Sequence, residues 1–263
     1  MKKFLIILIC CLFVQMSYAQ FNYRYKAIPI NVGLAQQNLY NTFNSPIRYS
    51  GAGFSATVGY LETDYNKMYQ EVRLAFSSSN LKPKYIKPND FNPKDIFVSS
   101  INVEAKYRYA LRVNKESSKV KLLVGGCAMI DFGIRSNSAM GNGSTDINLT
   151  LLSLGASGGI IYNLSNKMNL VWFIDVPFVS FIYYTPYLGG IMIEDKFDFK
   201  VASFGSYQKI ASDLSLELFM KNGNGFRATY AFGVMNNSNN QKITIGSHSF
   251  YLGFLFNLSK PRK

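Results

Sequence analysis

The stretch INVEAKYRYALRV (101–113) alternates without a break: Ile101, Val103, Ala105, Tyr107, Tyr109, Leu111 and Val113 against Asn102, Glu104, Lys106, Arg108, Ala110 and Arg112. In an extended chain successive side chains point to opposite faces, so this segment has one apolar face and one charged face. Such an alternation is longer than an ordinary sandwich strand. A face of this kind suits a strand with hydrocarbon on one side and a polar interior on the other.

The same pattern recurs along the chain. From Ser50, the residues Ala52, Phe54, Ala56, Val58 and Tyr60 oppose Gly51, Gly53, Ser55, Thr57 and Gly59. Val120, Leu122, Val124, Ala128, Ile130, Phe132 and Ile134 oppose Lys121, Asp131 and Arg135. Leu152, Leu154, Ala156, Ile160 and Tyr162 oppose Ser153, Ser157 and Asn163. Leu170, Trp172, Ile174, Val176 and Phe178 oppose Asn169 and Asp175, and Leu214, Leu216, Leu218 and Met220 oppose Ser215, Glu217 and Lys221. Phe226 to Val234 follows suit around Arg227, and the last apolar row is Phe250, Leu252, Phe254, Phe256 and Leu258. Weaker strands fit at about 27–36, 66–78 and 197–209.

The apolar run 168–193 could pass for a spanning helix. Asp175, Pro177 and Pro186 interrupt it, and β-branched and aromatic residues dominate, which favours a strand with Asp175 turned inward. Short connections at 62–66, 114–118, 164–167 and 211–213 alternate with long ones at 80–95, 136–146 and 185–195. That is the asymmetry of periplasmic turns and extracellular loops.

The first residues, MKKFLIILICCLFVQMSYAQ, have a basic start, an apolar centre and a small-residue exit at Ala19. They read as a secretory signal peptide over 1–19, leaving a barrel domain over 20–263. Without the leader, Cys127 is the one cysteine left and no intramolecular disulfide can form. One Cys and one His, His248, cannot make a zinc shell, and no cofactor is expected. The formal charge of +13 becomes +11 without Lys2 and Lys3. Outside the cytoplasm this excess points to lipid headgroups, small anions or anionic glycans rather than nucleic acid.

Together these features predict an all-β, antiparallel, up-and-down transmembrane barrel of about twelve strands, with ten as the alternative. The choice turns on whether 236–258 holds one strand or two. The terminal stretch SFYLGFLFNL (249–258) resembles the aromatic final strand of bacterial outer-membrane barrels, although Ser259 to Lys263 follow it. By pattern the chain resembles the small outer-membrane β-barrel proteins of Bacteroidota-type bacteria. That resemblance implies a Gram-negative outer-membrane location, with outer-membrane lipids and the barrel-assembly machinery as partners.

The predicted lumen carries Glu71, Arg73, Glu104, Lys106, Arg108, Arg112, Lys121, Asp131, Arg135, Asp175, Glu217, Lys221 and Arg227. These would either pair into a network that plugs the barrel or, through Lys106, Arg108, Arg112 and Arg227, form a basic constriction favouring anions. A basic loop at 80–95 carries Lys82, Lys84, Lys87 and Lys94. The expected role is structural, adhesive or weakly pore-forming, and non-enzymatic. Two alternatives are a lipid-modifying enzyme built on His248, which would need a serine within hydrogen-bond reach, and a soluble secreted β-sandwich.

Overall fold

The computed structural model describes residues 24–41, 45–64, 67–84, 97–115, 119–137, 144–185, 199–238 and 243–259. Eleven strands follow one another: β1 (Tyr25–Asn41), β2 (Ser45–Asp64), β3 (Met68–Pro83), β4 (Val98–Arg112), β5 (Val120–Asn137), β6 (Ser144–Ser165), β7 (Met168–Thr185), β8 (Phe199–Ser203), β9 (Tyr207–Phe219), β10 (Gly225–Asn237) and β11 (Ile243–Asn257). Chain neighbours pair antiparallel from β1 to β7 and from β9 to β11. β1 pairs with β11, so the sheet closes on itself. β8 and β9 both lie against β7, Val179–Tyr183 facing Phe199–Ser203 and Met168–Asp175 facing Ala211–Leu218. They share one place in the wall, so the barrel has ten strand positions and β8 is a short extra strand.

Ten is the smaller of the two expected counts. The stretch after β10 contributes one strand, β11. Residues 207–219 form one strand where the sequence suggests a strand, a turn at 211–213 and a further strand. Ala-Ser-Asp is turn chemistry, but Asp213 faces inward onto three cations and Ser212 faces outward, accepting the Trp172 indole N–H at 2.9 Å. The short turn on this side lies instead at 220–224, where Gly223 takes φ +82°, a conformation that glycine adopts without strain. β3 continues to Pro83, so Lys82 stands on a strand and not in a loop. The proposed leader, 1–19, lies outside the described residues.

The outer face is apolar. Leu34, Phe54, Leu74, Ile101, Val124, Ile130, Leu154, Phe226, Phe250 and Leu252 are all exposed there. Tyr109, Tyr162, Trp172 and Phe256 cluster toward the turn end, where aromatic rings suit the boundary of hydrocarbon and water. Exposing so much apolar surface to water would be costly. Pairing β1 with β11 also closes the ladder, as strands in lipid require, apart from the interruption between β8 and the start of β9.

Candidate functional site

The lumen is filled in layers, each set by the inward alternation. Nearest the short turns is an apolar layer that includes Tyr25, Leu61, Tyr69, Leu123, Ile161, Val171, Phe173, Phe219 and Leu255. Tyr25 meets Phe219 edge-on with ring centroids 5.2 Å apart, and Tyr69 lies 4.6 Å from Phe173. Gly159 makes room for Phe173, since a Cβ there would stand 2.3 Å from the ring.

Above it lies a layer of ion pairs. Arg108 Nε donates to Asp175 Oδ1 at 2.9 Å, and its terminal nitrogens reach Asp175, Asp213 at 2.7 Å and Glu71 at 3.2 Å. Lys106 Nζ donates to Asp175 at 3.0 Å and to Asp213 at 2.7 Å. Ser157 Oγ donates to Asp175 at 2.7 Å. Arg73 reaches Asp213 at 3.1 Å. Arg227 binds Glu71 at 2.8 Å and Glu217 at 2.5 Å, and also donates to the Tyr69 hydroxyl at 3.3 Å. Toward the loop end, Lys209 Nζ holds Asp131 at 2.6 Å and Glu104 at 2.9 Å.

These contacts join β3 and β4 to β7, β9 and β10, so they bridge the lumen from wall to wall. The guanidinium of Arg108 also lies over Phe173, 4.4 Å from the ring centre, and ties the two layers together. Asp175 and Glu217 have side chains fully removed from solvent, and Arg108 is 1% exposed. Ions this dry persist only when their charges and hydrogen-bonding groups are met.

Six carboxylates, those of Glu71, Glu104, Asp131, Asp175, Asp213 and Glu217, meet five cations, Arg73, Lys106, Arg108, Lys209 and Arg227. Arg135 is also buried on the inner wall toward the loops, and Lys121 is buried near the turn end of β5. Two residues of the expected lumen set stand elsewhere. Arg112 lies at the turn end of β4, its Nε donating to Asn114 Oδ1 at 2.9 Å and a terminal nitrogen to the Lys115 carbonyl. It does not join Lys106, Arg108 and Arg227. Lys221 is exposed in the turn after β9, because the strand ends at Phe219 before the alternation reaches it. Lys209 and Asp213 are central yet absent from the expected set. The alternation of Leu214 to Leu218, carried back through Ile210, is the signal that would have found them.

Beyond the ions is a cavity of about 180 Å³, bordered by Gln37, Ser77, Glu104, Arg135, Asn148 and Ser249 among others. An apolar cluster of Leu39, Tyr49, Leu81, Val98 and Ile243 follows near the loop end. Lys82 and Lys84 are exposed on the outside near the same end, while Lys87 and Lys94 lie outside the described residues. His248 faces outward, with Nδ1 2.6 Å from the Tyr230 hydroxyl and its ring 5.1 Å from that of Phe232. Neither neighbouring serine pairs with it: Ser247 donates to the Gly233 carbonyl at 3.5 Å, and Ser249 is buried on the inner side. Among the described residues no three His, Cys, Asp or Glu side chains converge as a metal site.

A closed, antiparallel, up-and-down barrel with an apolar exterior and an ionic interior is a transmembrane β-barrel. The chain is similar to the outer membrane protease OmpT from Escherichia coli (7% identity, 92% of this chain and 99% of that one covered, TM-score 0.50). It is also similar to the translocator domain of the autotransporter NalP from Neisseria meningitidis (11%, 94% and 91%, 0.43) and to Ail, the attachment invasion locus protein of Yersinia pestis (13%, 89% and 100%, 0.37). At such identities the likeness concerns the fold. No protein-family model matches the sequence, and the comparison with curated proteins gives no match.

Proposed function

We propose that this protein is an outer-membrane barrel with a sealed lumen, exported by the 1–19 leader, that anchors extracellular loops in a structural or adhesive role. One observation carries the reading: the cross-lumen network centred on Arg108, Asp175 and Asp213, stacked on the Tyr69–Phe173 layer. A pore would need a continuous hydrated path along the axis. Here the cations that could attract an anion, Lys106, Arg108 and Arg227, already face carboxylates. Purified protein inserted into planar bilayers should give no resolved single-channel steps in molar salt. Regular steps of large conductance would reject the sealed lumen.

The contacts of His248 support a role as an amphipathic residue of the outer face, since its polar partner is a tyrosine hydroxyl. His248→Ala should leave any lipid-hydrolysing activity of the preparation unchanged. Loss of such activity in that variant would favour an enzyme.

A further inference from the structure

The outward faces of β1, β2 and β3 change character in step toward the loop end. On β1 the apolar Val32 and Leu34 give way to the amides Gln36 and Asn38 and then to Tyr40. On β3, Leu74 and Phe76 are followed by Ser78 and Asn80, then Lys82 and Lys84. β2 runs the opposite way and repeats the order: Val58 and Phe54, then Ala52 and Ser50, then Arg48. Register aligns the three gradients, with Tyr40 opposite Arg48, Asn38 opposite Ser50, and Ser50 opposite Lys82.

The cations at the top are crowded. Lys84 N donates to the Arg48 carbonyl at 2.7 Å, which sets these two residues side by side across the strands, and Lys82 is on the same face two residues away. Like charges so placed repel each other. All three are exposed, and none takes part in an ion pair among the described residues. Arg48 lies 5.6 Å over the Tyr40 ring, and Lys84 Nζ donates to Asn38 Oδ1 at 3.3 Å. At the opposite rim the outward cations Arg24 and Lys26 are neutralised by Glu62. Among the described residues, the loop-end group of this sector has no carboxylate in the place that Glu62 takes at the other rim.

We infer that this sector of the outer wall binds a phosphorylated glycolipid. Its acyl chains would lie against Leu34, Phe54 and Phe76, and its sugar hydroxyls against the amide and hydroxyl strip. Its phosphomonoester would sit among Arg48, Lys82 and Lys84. Apolar and cationic ends are six residues apart on β2 and on β3, about 20 Å along a strand. That span suits an amphiphile better than a free anion. The inference rests on the outer-membrane placement but not on the sealed lumen.

The test uses the full barrel in nanodiscs containing diphosphoryl lipid A or its enzymatically dephosphorylated form, with bound lipid counted by native mass spectrometry. Wild type should retain the phosphorylated lipid selectively. The variant R48Q/K82Q/K84Q should bind it more weakly, by about five-fold per cation removed and on the order of a hundred-fold in all. K67Q/K119Q/K221Q removes the same charge at the turn end and should bind as wild type does. Heat-modifiable gel mobility reports that each variant is a closed barrel. R48K/K82R/K84R, which keeps the charges, should restore binding if the glutamine variant fails to fold. Equal retention by wild type and R48Q/K82Q/K84Q would overturn the inference, as would inorganic phosphate competing as strongly as the lipid. Failure of wild type to insert into any nanodisc would instead reject the membrane placement itself.

Discussion

Asp175 is the residue on which the lumen depends most. It accepts hydrogen bonds from Lys106, Arg108 and Ser157, and its side chain is wholly buried. Asp175→Asn removes the carboxylate that Lys106 and Arg108 share and leaves both leaning on Asp213 in a dry site, and removing one partner of a buried pair costs about 3–5 kcal/mol. The midpoint for loss of the heat-modifiable band in urea should fall accordingly. The paired change R108M/D175L removes both charges at similar volume and leaves Lys106 facing Asp213, and Glu71 facing Arg227. It should therefore recover most of that loss. If the pair is as damaging as Asp175→Asn alone, uncompensated charge is not what the network avoids. Gly159 tests the apolar layer in the same way. Gly159→Ala drives a methyl group toward Phe173, and overpacking of this kind costs about 1–3 kcal/mol. An unchanged midpoint would mean that the ring has free space to move into.

At the scale of strands, β4 was readable because every second residue from Ile101 to Val113 is apolar and every charge falls between. β9 was less so. Its centre, Ala211-Ser212-Asp213, carries turn propensities that contacts from distant strands override: Arg73, Lys106 and Arg108 hold Asp213, and Trp172 holds Ser212. No local window of sequence contains those partners, so the local pattern marks Glu217 as inward but not Lys209 or, four residues before Glu217, Asp213. The same locality hid the end of β9, where the sequence alternation runs on to Lys221 but the Gly223 turn intervenes. The wall is also irregular here. Between the β7–β8 pairing at Val179 and the β7–β9 pairing at Asp175, three β7 residues including Pro177 face seven, Phe204 to Ile210, without a ladder. Backbone groups lacking ladder partners open most readily. Hydrogen exchange should therefore be faster at Phe178, which has no ladder partner on either side, than at Leu170 to Ile174, which are paired on both sides. Uniform protection along β7 would mean that some other group closes the gap. On an unbroken strand the outer face sets the cost: Leu252→Lys places a charge on the apolar exterior of β11 and should destabilise by about 2–4 kcal/mol.

On the proposed reading the whole molecule has its seals in series, and that arrangement decides what a conductance experiment can reveal. Phe173, Tyr69 and Leu61 would close the turn end with apolar volume, and Arg108 with its carboxylates would close the middle with charge. An ion crossing the lumen must pass both barriers, so removing one leaves the other in its path. The variant F173A/L61A opens space below Arg108 but keeps the ionic bridge intact, and it should remain silent in planar bilayers. R108S/D175S removes the centre of the bridge, leaves Lys106 on Asp213 and Arg227 on Glu71, and keeps the apolar layer; it too should remain silent, since a dry apolar constriction blocks ions by excluding water. Joined in one chain, the four substitutions open the centre of both layers between the turn end and the cavity, and conductance steps should appear. All three variants need intact heat-modifiable mobility, so that a leak is not mistaken for an unfolded barrel. If R108S/D175S alone conducts, the apolar layer is not a seal and the ions carry the closure by themselves. If F173A/L61A alone conducts, the bridge admits ions and the apolar layer is the true barrier.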